Sequence, residues 1–144
     1  MTVMWSTFRQ TETSMVEYGL SPDQLDSVAN GTWQMLNNRG THQYVHTVKL
    51  RGLLIDTQYH YRCGDGVHFS EVFSFRTLRK GTEWRPRVLI FGDLGFKDGA
   101  STPLLIEEAR NGSVDLVLHN GQSSQHLFAF SVTAVIVTGS ALAG

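Results

Sequence analysis

The residues of this sequence best placed by type and spacing to do chemistry sit at the end of an apolar run. Val88-Leu89-Ile90-Phe91 is short and uninterrupted, and Gly92-Asp93-Leu94-Gly95 follows it at once. A carboxylate there, between glycines that let backbone and ligand approach closely, is a sensible ligand for a hard metal ion. Taken alone, a GDxG turn more often has a plainer meaning, a tight turn whose Asp caps the next segment. A second polar group, His119-Asn120-Gly121-Gln122, ends a similar run, Val114-Asp115-Leu116-Val117-Leu118. In open α/β sheets ligands collect beyond the carboxyl ends of the strands, which is where both groups fall. Asn30-Gly31-Thr32 and Asn111-Gly112-Ser113 match the acceptor pattern for N-glycosylation, so Asn30 and Asn111 are candidate glycan sites if the chain enters the secretory pathway.

Other reactive side chains read more plainly. His42, His46, His60, His68, His119 and His126 have no ligand spacing and read as surface or strand residues. Cys63 shares a strand face with Tyr59 and Tyr61, with no histidine placed to activate it, so it reads as a buried apolar residue. Trp5 and Trp33 read as core, and Glu107-Glu108 as a solvated helix face.

The elements that must position these groups change character near residue 80. Residues 1–79 read as short strands separated by polar turns, the signature of an all-β sandwich. Val3 and Trp5 share one face, as do Val16 and Tyr18; Tyr44, His46, Val48 and Leu50; Tyr59, Tyr61 and Cys63; and Phe73 and Phe75. Ser21-Pro22-Asp23 and Asn37-Asn38-Arg39-Gly40 supply turn chemistry. Lys80 to Pro86 is a linker, after which the run at 88–91 predicts a strand buried on both faces. Ser101 or Thr102 as N-cap, Pro103 in the first turn, Leu105 and Ala109 at helical spacing and Asn111-Gly112 as a stop predict a helix. The run at 114–118 completes a strand–helix–strand unit with a parallel pair.

Composition narrows the function classes. A net charge of −1 with both signs interspersed gives no footprint for nucleic acid or an anionic membrane. One cysteine excludes an internal disulfide and a Cys-rich zinc site. The start, Met1-Thr2-Val3-Met4-Trp5, has neither basic nor long apolar character, so no signal peptide is read there. The segment 120–144 has no charged residue and is apolar and β-branched from Leu127 to Val137, shorter than a membrane span; it reads as a divergent, non-native or alternatively spliced end prone to β-aggregation.

Two resemblances gather these pieces. The stretch Leu50 to Tyr61 resembles the E-to-F corner of fibronectin type III domains, where a leucine plugs the core and a tyrosine ties the corner back to the backbone; that likeness spans Val3 to Thr77. The sandwich, the linker, VLIFGDLG, a helix and VDLVLH together resemble the purple acid phosphatase family in its large form, over residues 1 to about 119. That likeness implies a mainly β fold: a fibronectin III-like sandwich (1–79) lacking the family's first strand, a linker (80–87), an incomplete α/β unit beginning a calcineurin-like metallophosphoesterase domain (88–119), and the divergent tail (120–144). One sheet is then expected to expose an edge, with poor solubility.

The family's members are secreted or lysosomal and hold Fe(III) beside a second divalent metal (Zn, Mn or Fe), hydrolysing phosphate monoesters at acidic pH. By that resemblance Asp93 is the first metal ligand and the single one retained. The family's next motif, GDxxY, has Gln122 in place of its Asp and Gln125 in place of its Tyr, and the later asparagine and histidine motifs have no counterparts here. Neutral Gln cannot bridge two cations, so the chain is expected to bind no metal pair and to lack phosphatase activity. The alternative is a non-catalytic β-sandwich binding module whose loops carry recognition. A nucleotide-binding unit is disfavoured, because FGDLGFKDG supplies no GxGxxG cradle.

Overall fold

A computed structural model describes residues 1–38, 41–92 and 102–119. The chain divides into two compact units, Met1–Thr77 and Leu78–Gly144. It is mainly β.

Seven strands build the first unit: β1 (Thr2–Thr7), β2 (Met15–Gly19), β3 (Ser27–Asn30), β4 (Thr32–Asn38), β5 (Thr41–Lys49), β6 (Gln58–Gly64) and β7 (Phe73–Arg76). They form two antiparallel sheets, ordered β1-β5-β4 and β3-β2-β6-β7. Period-two alternation fixes which side of each sheet turns inward. On the first sheet Val3 pairs with Val48 and Trp5 with His46; on the second Val16 pairs with Cys63 and Tyr59 with Phe75. Val3, Val16, Val48, Leu50, Tyr59 and Phe75 form one buried cluster drawn from both sheets, so the sheets pack face to face. Burial of such side chains, at about 25 cal/mol per Å² of apolar surface, is the main stabilising contribution. Trp5 packs against this cluster, whereas Trp33 lies outside it, half-buried and edge-on to Tyr44 at 5.2 Å.

The segment between β5 and β6 is tied by side chains. Leu50 is 2% exposed and plugs the core, and the Leu54 N–H donates to Tyr59 Oη at 3.0 Å. Thr77, the last residue of the unit, is lashed to the same segment: its N–H donates to Thr57 O (2.9 Å), its hydroxyl to Leu54 O (2.6 Å), and Thr57 N–H to its Oγ1 (2.9 Å). Asp56, at φ 47°, accepts from Arg76 Nε at 2.8 Å. Of the turn expected at 37–40, Asn37 and Asn38 instead end β4, paired with His42 and Thr41 of β5, because the ladder continues to the end of the strand, and Arg39 and Gly40 lie outside the described residues.

In the second unit β8 (Val88–Phe91), α1 (Thr102–Arg110) and β9 (Leu116–His119) follow in order, and β8 pairs parallel with β9. The helix ends as its stop signal requires: Asn111 N–H still reaches Glu107 O at 3.0 Å, and Gly112 takes φ 72°, a conformation glycine adopts without a Cβ clash. The second strand starts later than the apolar run suggests, at Leu116, because Asp115 is held by Arg87 instead. No described helix is long and apolar enough to cross a membrane.

Candidate functional site

The parallel pair fixes where a site on the second unit can form. Val88 pairs with Leu116 and Phe91 with His119, so the carboxyl ends of β8 and β9 lie side by side and in phase. Arg87 and Asp115 clamp the opposite ends. The Arg87 N–H donates to Asp115 Oδ2 at 2.8 Å and its guanidinium to Gly112 O at 2.8 Å, while Asp115 N–H returns a bond to Arg87 O at 2.9 Å. These bonds, the Arg87 backbone N–H foremost, hold the Asp115 carboxyl below its ordinary range and commit it to structure.

Beyond the paired ends, Gly92 is the last described residue after β8. Asp93, the expected metal ligand, lies outside the described residues, as do Gln122, Gln125, His126 and the whole segment 120–144. Among the described residues no three His, Cys, Asp or Glu side chains converge in a way that could hold a metal ion.

The candidate glycan sites are both described and both exposed. Asn30 ends β3, and Asn111 follows the helix, its Oδ1 accepting from Ser113 N–H at 3.0 Å. The Ser113 hydroxyl lies between the carbonyl oxygen (2.8 Å) and the carboxylate of Glu108. Glu107 is exposed as expected, but Glu108 is half-buried and engaged, so only one of the pair belongs to a solvated face.

Cys63 is half-buried. Its thiol donates to Ser70 Oγ at 3.6 Å, and burial raises its pKa, which suppresses the thiolate and with it nucleophilic character. The histidines are not equivalent. His42 is exposed, and the His68 side chain is 85% exposed beside Asp65. His46 is fully buried, with Nδ1 2.9 Å from Ser14 Oγ and Nε2 2.9 Å from Thr7 Oγ1. Thr7 gives its one hydroxyl proton to Arg9 O at 2.7 Å, so it accepts from His46; the imidazole is neutral, protonated at Nε2, and accepts from Ser14 at Nδ1. Burial lowers its pKa, in keeping with that state.

One open cleft of about 320 Å³ is lined by Gly19, Leu20, Ser21, Gln24, Asp26 and Tyr59, among others. Its ionisable members are Asp26 and Tyr59, which do not make a catalytic group.

A two-sheet β unit followed by an in-phase parallel β pair defines the class, and comparison with known proteins gives the family. The profile described as purple acid phosphatase, N-terminal domain, matches residues 1–77. The chain belongs to the purple acid phosphatase family. It is 40% identical over 131 residues to human acid phosphatase type 7, covering 88% of this chain and 30% of that protein. The zebrafish acid phosphatase type 7 is 36% identical over 132 residues, with 89% of this chain and 30% of the relative covered. Purple acid phosphatase 13 of Arabidopsis thaliana is 39% identical over 64 residues, 42% of this chain and 12% of the relative. The chain thus spans about 30% of the length of the acid phosphatase type 7 proteins it matches. No solved structure matches it significantly.

Proposed function

We propose that this chain is a segment of a metal-dependent acid phosphatase acting on phosphate monoesters, and that by itself it is catalytically incomplete. The observation that carries the reading is the extent of the likeness: 131 residues align with an acid phosphatase, beyond the two-sheet unit and into the strand–helix–strand unit. On this reading residues 1–79 are the family's fibronectin III-like N-terminal domain, 80–87 a linker, 88–119 the start of a calcineurin-like metallophosphoesterase domain and 120–144 a divergent tail. Asp93 follows β8 where a strand-end metal ligand belongs. Its expected partner position holds Gln122, and a lone carboxylate cannot neutralise two multivalent cations or lower the pKa of a bridging water. Iron and a second divalent metal belong to the parent enzyme. Asn30 and Asn111, both exposed, suit glycosylation in a secreted or lysosomal parent.

The test is assay of the purified chain on an aryl phosphate at acidic pH with added iron and zinc, beside metal analysis of the desalted protein. No turnover and no stoichiometric metal are expected. Metal-dependent turnover abolished by Asp93→Asn would overturn catalytic incompleteness while keeping the family role of Asp93.

A further inference from the structure

Three Asn-Gly pairs stand in the sequence, Asn30-Gly31, Asn111-Gly112 and Asn120-Gly121. In such a pair glycine, having no Cβ, lets its backbone nitrogen reach the side-chain amide of the asparagine before it. Asn120-Gly121 lies outside the described residues; Asn30 and Asn111 are both exposed, so burial does not separate them. Their backbones are held differently. The Gly31 N–H donates to Ser14 O at 2.9 Å, and Asn30 pairs with Met15 in the β2–β3 ladder, so that nitrogen is engaged within a strand. The Gly112 N–H has no backbone acceptor among the described residues. Gly112 O is held by the Arg87 guanidinium at 2.8 Å, which sets a cation on the same residue as that nitrogen. Asn111 Oδ1 accepts from Ser113 N–H at 3.0 Å, and Ser113 is itself fixed by its hydroxyl on Glu108 O at 2.8 Å.

We propose that Asn111 is a site of spontaneous succinimide formation, through which the chain converts there to aspartate and isoaspartate. Gly112 N gives up its proton to solvent base and forms a bond to Asn111 Cγ. The Cγ–Nδ2 bond breaks, and the side-chain nitrogen leaves as ammonia with a proton from water. Water then opens the ring at either carbonyl, leaving aspartate or a backbone that runs through the side-chain carboxyl. No oxidant or reductant takes part. Negative charge develops on Oδ1 during the attack, where the Ser113 N–H already donates, and the guanidinium favours the deprotonated nitrogen. The product sets a carboxylate just past the carboxyl end of α1, where the helix dipole favours cations. A glycan on Asn111 would occupy Nδ2, the leaving nitrogen, so the two modifications exclude one another. The proposal rests on the local geometry of the second unit and is independent of the phosphatase reading.

The experiment incubates the full, unglycosylated chain at mildly alkaline pH, in native buffer and in urea side by side. Endoproteinase Asp-N cuts before aspartate and not before isoaspartate. It places Asn30 on the peptide Asp26–Ile55, Asn111 on Asp98–Val114 and Asn120 on the peptide that starts at Asp115. Tandem mass spectrometry then locates each exchange of NH2 for OH. In urea Asn30 and Asn111 should react at comparable rates. In native buffer Asn30 should slow by roughly tenfold or more, since its glycine nitrogen is released only when the strand opens, while Asn111 keeps its urea rate. A fraction of the Asp98–Val114 peptide should carry the exchange yet stay uncut at residue 111, the mark of isoaspartate. Equal slowing of both sites by folding, Asn111 intact after Asn30 has reacted, or aspartate without isoaspartate overturns the proposal.

Discussion

The imidazole of His46 lies against the indole of Trp5, ring centroids 4.8 Å apart and planes within 8°. The two residues are cross-strand partners on β5 and β1, and both ring nitrogens of the histidine are engaged at the same time. A polar ring is thus seated where apolar ones are usual, and it is tolerated there because each of its polar atoms is satisfied.

His46→Ala should therefore be among the most damaging single substitutions in the first unit. It opens a cavity beside Trp5 and strands the Ser14 hydroxyl, which is 2% exposed. A loss of about 2–4 kcal/mol is expected from the two effects together, read as a lowered urea midpoint by tryptophan fluorescence.

The same residue sets a pH dependence. Burial holds its pKa below the ordinary 6.5, so the unfolded chain takes up the proton at a higher pH than the folded one. Stability from neutral His46 is complete above 6.5 and is lost as pH falls through that value towards the folded pKa. Asp65 acts in a separate window. The N–H groups of His68 and Val67 hold its carboxyl down to about 2, so its contribution is present above the ordinary 3.8 and disappears only as pH falls from there towards 2. Urea midpoints at about pH 7.5 and about pH 5 should differ in the natural chain and differ less in His46→Gln.

Tyr59→Phe isolates one hydrogen bond. The ring stays stacked on Phe75 at 5.6 Å, but the Leu54 N–H loses its acceptor. A cost of about 1–2 kcal/mol is expected, with an unchanged far-ultraviolet spectrum.

Gly31→Ala tests the crossing between β3 and β4. A Cβ there would stand 2.0 Å from the Thr47 carbonyl oxygen, so backbone must move. The loss should be about 1–3 kcal/mol, measured by thermal melting. The sequon at Asn30 survives the change, so glycan occupancy can be compared independently of it.

Much of the first unit is legible in the sequence because period two is a local signal. Val3 with Trp5, Tyr44 with His46 and Val48, and Phe73 with Phe75 share faces in the fold as the alternation requires. That alternation already placed His46 on an inner face, yet its engagement was not legible, since Thr7 and Ser14 lie 39 and 32 residues away along the chain. Trp33 shows the converse: aromatic character suggests core, whereas its strand lies at a sheet edge, where half the ring stays open. The late start of β9 follows from Asp115, whose pairing with Arg87 depends on a residue 28 positions earlier. The catalytic reading leans on family likeness because one carboxylate between glycines has no unique chemical meaning.

Thr77 stands at the exit of the first unit, bonded at both its amide and its hydroxyl to the Leu54–Thr57 segment. A tension transmitted along the polypeptide from Leu78 onward meets these bonds first. They must yield in concert before β7 can be peeled from β6, so mechanical load is spread over several contacts at once, and the junction works as an anchor for whatever follows it.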